Sequence, residues 1–153
     1  MLERVFVKRV NQNAKLPTRV NNSDAGADVY YCGENSVVLE PNNTVLLGTG
    51  LNIATPHGFV CEVKNRSGMA AKKHLIVGAC VIDSGYAGEV KINLHNVGNT
   101  AQEIHPGDKI AQILFYPVGL PVFEELPENE ELYSRTDTNS SRADNGFGSS
   151  GAR

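Results

Sequence analysis

One stretch, Ala79-Cys80-Val81-Ile82-Asp83-Ser84-Gly85-Tyr86-Ala87-Gly88, concentrates residue types that could do chemistry: one carboxylate, two small flexible residues and one aromatic ring. A carboxylate there is a candidate for handling a proton. It is equally a residue that bonds its own backbone in a turn. Arg66-Ser67-Gly68, at the start of Met69-Ala70-Ala71-Lys72-Lys73, supplies a cation and backbone N–H groups where a helix begins, which is how a backbone binds an anion. The plain alternative is a helix capped by Ser67, with a surface arginine and lysines suited to its C-terminal end. Asp28 follows the small residues Ala25-Gly26-Ala27, which permit close backbone approach; a surface turn with two exposed acids, Asp24 and Asp28, is the alternative. Gln112 interrupts the apolar run Ile110 to Phe115 and must find a hydrogen-bond partner in the protein or in a ligand. Near the end, Arg142-Ala143-Asp144-Asn145-Gly146-Phe147-Gly148-Ser149-Ser150-Gly151 combines a cation, two hydroxyls and glycines that suit an anion-binding nest.

The elements that must position these groups are strands. After Gly88, Val90, Ile92 and Leu94 alternate with Glu89, Lys91, Asn93 and His95, a half-buried strand. Leu75-Ile76-Val77 before it is apolar and β-branched, so the Asp83 segment reads as the loop of a β-hairpin. Further strands are expected at Val5 to Val7, from Asp28 through Tyr30, at Val37 to Leu39, over Val45 to Ile53 with breaks at Gly48 and Gly50, over Phe59 to Lys64, and over Lys109 to Val118. Met69 to Lys73 is the one convincing helix. Fifteen glycines, seven prolines and no tryptophan agree with an all-β fold of short strands.

The 153 residues make one domain by size and need no covalent staples to bury a core. A net charge of −3 gives no basic excess for nucleic acid or an anionic membrane surface. Cys32, Cys61 and Cys80 have no C-x-x-C spacing and read as reduced core thiols of a cytoplasmic protein. No signal-peptide pattern opens the chain, and no apolar run approaches the ~20 residues of a membrane helix. From Phe123 the composition changes: five glutamates between Glu124 and Glu131 form an acidic, solvated linker, and the polar remainder reads as a flexible arm. The expected division is 1–123 for the β domain and 124–153 for linker and arm.

Five stretches taken together resemble the five ordered motifs of the trimeric deoxyuridine triphosphatases. They are Ala25 to Asp28, Arg66 to Ala70, Val81 to Gly88, Gly107 to Gln112, and Arg142 to Gly151. The resemblance implies a distorted jelly roll, or β-barrel, with one short helix and a flexible C-terminal arm. It implies a homotrimer in the bacterial cytosol or in a virus-infected cell, with active sites at subunit interfaces and no nucleic-acid or membrane partner. The implied reaction is hydrolysis of dUTP to dUMP and pyrophosphate by in-line attack of water at the α-phosphorus, which keeps uracil out of DNA and supplies dUMP for dTMP synthesis.

The same resemblance implies the residue roles. Asp83 is the carboxylate that activates the water. Tyr86 packs under the deoxyribose and leaves no room for a 2′-hydroxyl. Uracil enters the hairpin as a surrogate strand against main-chain groups of Ala79, Cys80 and Val81. Ser67 and Gly68 bind phosphate oxygens with Arg66 nearby, and Gln112 donates to the α-phosphate side. On the arm Phe147, with Gly148, stacks over uracil, while Arg142, Ser149 and Ser150 hold the γ-phosphate. Mg²⁺ rides on the triphosphate and Asp28 reaches it through water.

The chain departs from the family pattern at Asn65 (usually Pro), Cys80 (usually Gly), Gly85 (usually Asp), Ala143 (usually Gly) and Ser150 (usually Thr). The Cys80 thiol must therefore point away from the slot, or the slot is narrower than usual. Two other functions remain open from the residues: a dCTP deaminase of the same fold, and a regulatory homologue that signals by binding a partner protein.

Overall fold

The computed structural model describes residues 4–138. The calls on Arg142, Phe147, Gly148, Ser149 and Ser150 lie outside those residues. The chain falls into two units, Met1–Leu120 and Pro121–Arg153.

The first unit is built of eleven strands and one helix: β1(Val7–Arg9), β2(Ala27–Tyr30), β3(Val37–Leu39), β4(Thr44–Gly48), β5(Leu51–Ile53), β6(Phe59–Lys64), α1(Ser67–Lys73), β7(Leu75–Val77), β8(Val81–Ile82), β9(Lys91–Asn96), β10(Gln102–Ile104) and β11(Lys109–Pro117). It is the all-β, distorted barrel expected from the sequence. The strands form four small sheets, in the orders β2-β11-β6-β8, β4-β9-β7, β1-β5 and β10-β3. Every pairing between strands is antiparallel.

Period-2 patterning explains the packing. In β9, Ile92, Leu94 and Asn96 point inward while Lys91, Asn93 and His95 face out or sit at the margin. Leu47, Leu51, Ile53, Leu75, Ile104, Ile110 and Ile113 join them in one core, each at most 2% exposed. Each such side chain contributes roughly 1.5–3 kcal/mol of transfer free energy. Asn96 is a buried polar exception that the alternation had not flagged as special. Its amide donates to the Leu39 and Thr100 carbonyls at 2.9 and 2.8 Å, and its oxygen accepts from the Gly98 N–H at 3.0 Å.

Three local expectations change. The first strand begins at Val7, two residues later than its apolar run, because only Val7 to Arg9 pair with β5. The helix begins at Ser67, and Arg66 is its N-cap, with extended dihedrals (φ −86°, ψ 134°) and no side-chain capping bond. Ser67 is thus the first helical residue, not the cap, and its hydroxyl is not spent on capping. Of the three free cysteines only Cys32 and Cys61 are buried; Cys80 is half-exposed. Burial pushes the Cys61 thiol up to about 12.

In the second unit, residues 121–138 contain turns and no strand or helix. The acidic linker is not simply solvated. Arg135 donates to both oxygens of Glu130 at 2.8 and 2.7 Å and to Glu124 at 3.1 Å. Bidentate geometry of this kind is the favourable form of an exposed ion pair.

Candidate active site

The central strand β11 organises one half of the site. Gln112 stands directly opposite Asp28 on β2 and directly opposite Lys64 on β6. Side chains at paired positions share a face. All three accordingly line one cavity of about 520 Å³, together with Arg66, Ser67 and Gly68. Gly26 belongs to the same wall, and a Cβ on it would fall 2.0 Å from Gln112 Oε1. A glycine there is what lets the Gln112 amide lie against β2.

Both oxygens of Asp28 are committed. Oδ1 accepts from Arg66 Nε at 2.7 Å, and Oδ2 lies 2.8 Å from Lys109 Nζ. The β2–β11 register shifts between Lys109 and Ala111, an irregularity of the kind that re-aims a side chain. Arg66 also donates to the Lys109 carbonyl at 3.3 Å. Burial alone would raise the Asp28 carboxyl. The hydrogen bonds from Lys109 and Arg66, with their charges, outweigh it and hold the group below the usual carboxylate range. Lys109 is raised by the same hydrogen bond.

Gln112 finds a protein partner, since its Nε2 donates to the Asn65 carbonyl at 2.8 Å. The second amide hydrogen remains for another acceptor. Asn65 gives its departure from the family pattern a structural purpose. Its Oδ1 accepts from the Val77 N–H at 2.6 Å and ties this half to the base of the hairpin. A proline could not make that bond.

The second half of the site is the hairpin, and it is not a simple one. β7 pairs with β9 from Leu75↔Asn96 to Val77↔Leu94, and Gly78 N–H still reaches the Asn93 carbonyl at 3.0 Å. Beyond that the arms part. Val81 and Ile82 leave to pair with Glu62 and Cys61 of β6. The parting opens a cavity of about 290 Å³ with Ala79 and Val81 on one arm, Val90 and Lys91 on the other, and Asp83 and Tyr86 at the loop. The Cys80 carbonyl accepts from the Val63 N–H at 2.7 Å, and its thiol turns to the Gly78 carbonyl at 3.7 Å. Cys80 therefore does not line this cavity with its side chain, as its position required.

Strand β5 and its flanks anchor the loop. Asn52 donates to the Ala87 carbonyl at 2.8 Å, Thr55 to the Ile82 carbonyl at 3.3 Å, and the Gly50 N–H to Glu89 Oε1 at 2.8 Å. Tyr86 donates its hydroxyl to the Glu89 carbonyl at 3.0 Å. Asp83 is exposed, and its carboxylate bonds no other described residue. Gly85 has φ +89°, a conformation that suits glycine better than other residues. Sequence reasoning named Gly26 and Lys109 only as parts of motifs and passed over Asn52 and Lys64 as site residues. Only the alternation of Glu62 and Lys64 with the apolar positions of β6 could have marked any of them.

The two cavities share no lining residue. Lys64 of β6 lines the first, while Val63 of β6 and Val81 of the adjoining β8 line the second. One chain thus presents two separate cavities along β6.

A family model for dUTPase matches residues 12–151. The chain belongs to the dUTPase family. It is 40% identical over 152 residues to the deoxyuridine 5′-triphosphate nucleotidohydrolase of Wolbachia pipientis subsp. Culex pipiens, covering 97% of this chain and 95% of the relative. Its fold superposes on the Staphylococcus bacteriophage 80alpha dUTPase solved with dUpNHpp, with a TM-score of 0.84 and 27% identity over 98% of this chain and 99% of that one. It also matches a phage phi11 dUTPase mutant, solved for the coordination of a structural Mg(II) ion. That match has a TM-score of 0.76 and 27% identity, and covers 84% of this chain and all of the other.

Among the described residues no helix is long and apolar enough to cross a membrane.

Proposed function

We propose that this chain hydrolyses dUTP to dUMP and pyrophosphate, with the uracil in the parted hairpin and the triphosphate on the β2-β11-β6 face of a second copy. The observation that carries the reading is the parting of β7 from β9 after Gly78. It leaves a slot lined by Ala79, Val81 and Lys91 whose end holds a free carboxylate and a tyrosine ring. A planar base that completes the broken ladder with main-chain hydrogen bonds is selected by its donor and acceptor pattern. A base with the wrong pattern would leave buried polar groups unpaired.

Asp83 accepts the proton of the attacking water, or a strong hydrogen bond from it. Its exposed position leaves the carboxylate free for that contact. Tyr86 is held by its bond to the Glu89 carbonyl with its ring against the sugar, where it excludes a 2′-hydroxyl. On the other copy, Arg66, the Ser67 hydroxyl, the Gly68 N–H and the second Gln112 amide hydrogen bind phosphate oxygens. Positioning and charge neutralisation are most of what phosphoryl transfer asks of a protein. Arg142, Phe147, Gly148, Ser149 and Ser150 close the site, at an entropic cost the triphosphate contacts must offset. Two half-sites on each chain call for a closed ring with each site shared between copies, and the family resemblance makes that ring a homotrimer.

Mg²⁺ fits this arrangement as a passenger on the substrate. Among the described residues no three His, Cys, Asp or Glu side chains converge as a metal cage. Asp28 has both oxygens occupied by Arg66 and Lys109, so it would accept hydrogen bonds from metal-bound water and not bind the metal directly. When bound, Mg²⁺ would neutralise charge on the phosphate oxygens.

The test is pyrophosphate release from dUTP, dCTP, dTTP and UTP, with ammonia release from dCTP followed in parallel. Release from dUTP alone is the expected result. Ammonia from dCTP would establish the deaminase reading, and dUTP binding without release would establish the regulatory one.

A further inference from the structure

We infer that Lys64 is a further substrate-binding residue, a cation for the polyphosphate end of the nucleotide that Glu62 holds in place until substrate arrives. The inference rests on the reading just given and adds to it a residue outside the five motifs. Its first support is register. Gln112 has Asp28 as its partner on one side and Lys64 on the other, so the three form a row across β2, β11 and β6 on one face of the sheet. All three line the cavity that also holds Arg66, Ser67 and Gly68. A lysine at the end of this row reaches the same volume as the amide beside it.

The second support is the state of the other cations on that wall. Arg66 has its Nε on Asp28 at 2.7 Å. Arg19 has its Nε on the Asp24 carbonyl at 2.8 Å. Both are fixed by groups of the wall itself. Lys64 is paired differently. Its Nζ lies 2.6 Å from Glu62, two residues back on the same strand and not part of the cavity lining. Tyr116 donates its hydroxyl to the same carboxylate. Glu62 is thus held by a second donor and stays satisfied when Lys64 leaves.

Lys64 is half-exposed, at 51%, while Glu62 is only 15% exposed. A lysine carries its charge on a flexible four-carbon stem with freely rotating donors. Water reaches the ammonium end of the pair and screens it, so transfer to a multiply charged polyphosphate is favourable.

The variants are Lys64→Met, Lys64→Arg and Glu62→Gln. Each is assayed for pyrophosphate release from dUTP and, separately, for binding of the non-hydrolysable analogue dUpNHpp at two salt concentrations. Lys64→Met should raise KM and the analogue Kd about tenfold, leave kcat within about twofold, and flatten the salt dependence of binding. Lys64→Arg should stay close to wild type. Glu62→Gln should tighten binding, because it releases Lys64; a purely structural ion pair predicts the opposite sign. Unchanged KM and Kd in Lys64→Met, or weaker binding in Glu62→Gln with an unchanged melting temperature, would overturn the inference. A wild-type chain that binds the analogue and does not release pyrophosphate from dUTP would overturn the hydrolytic reading alone, since the binding arms still decide the role of Lys64.

Discussion

The phosphate face and the hairpin slot are built on opposite principles. On the face, most functional side chains are held, the exceptions being the Ser67 hydroxyl and Lys64, which is tethered only to Glu62. Asp28 is gripped from two sides, Arg66 is fixed by Asp28 and the Lys109 carbonyl, and Gln112 is fixed by Asn65. In the slot, the backbone is held while the reactive group is not. Asn52, Thr55 and Glu89 pin the loop, and the exposed Asp83 carboxylate bonds no other described residue. The difference follows from the task. A phosphate site gains from donors that need no reorganisation when charge arrives. A group that must meet water and then exchange a proton gains nothing from a prior partner.

The comparison can be broken first at Asp83. Asp83→Asn should bind dUpNHpp as well as wild type and lose ~10²–10⁴-fold in turnover, measured by pyrophosphate release. A variant that loses binding instead would make Asp83 a structural residue like those of the opposite face. Next comes Tyr86→Ala, which should narrow the preference for dUTP over UTP by about tenfold or more, read from the two kcat/KM values. An unchanged ratio would remove the ring from sugar selection.

On the held face, Asp28→Asn should cost stability as well as substrate affinity, by roughly 1–3 kcal/mol in denaturant unfolding. It should also change the pH dependence. The Asp28 pKa is depressed in the folded state, so its contribution is present above the ordinary value of 3.8 and lost as pH falls below it. Wild type should therefore lose stability in that acid range, and the variant should lose less. The smallest effect expected is from Asn65→Pro, which restores the usual family residue and deletes the bond to Val77. About 1 kcal/mol of stability should go, with the two halves less firmly coupled.

Much of this was legible in the sequence because the signals are local. Alternation marked β6 and β9, a long apolar run marked β11, and turn residues marked the breaks at Gly48, Gly50 and Gly107. The carboxylate, the tyrosine and the helix-start serine could be picked out by type and spacing. What was hidden depends on contacts distant in sequence. Val81 and Ile82 pair with β6, and nothing in their neighbourhood announces that the hairpin has opened. The register shift that brings Lys109 to Asp28 leaves no mark in the residues between them. The helix cap was misplaced by one residue because Ser67 satisfies the composition of a cap, while the backbone turns at Arg66. Cys80 looked like a core thiol beside Val81 and Ile82, but its carbonyl, not its side chain, is what β6 takes up.

The account stands or falls on whether the slot of one copy works with the phosphate face of another. The direct measurement is complementation between two inactive chains, Asp83→Asn and Arg66→Ala, co-expressed and purified through separate tags. Each chain then supplies the half that the other lacks. Shared sites predict recovery of about a quarter of wild-type pyrophosphate release from a random mixture. A mixed oligomer no more active than its parents would mean that each chain carries its own complete site, and the division between the two cavities would not be functional.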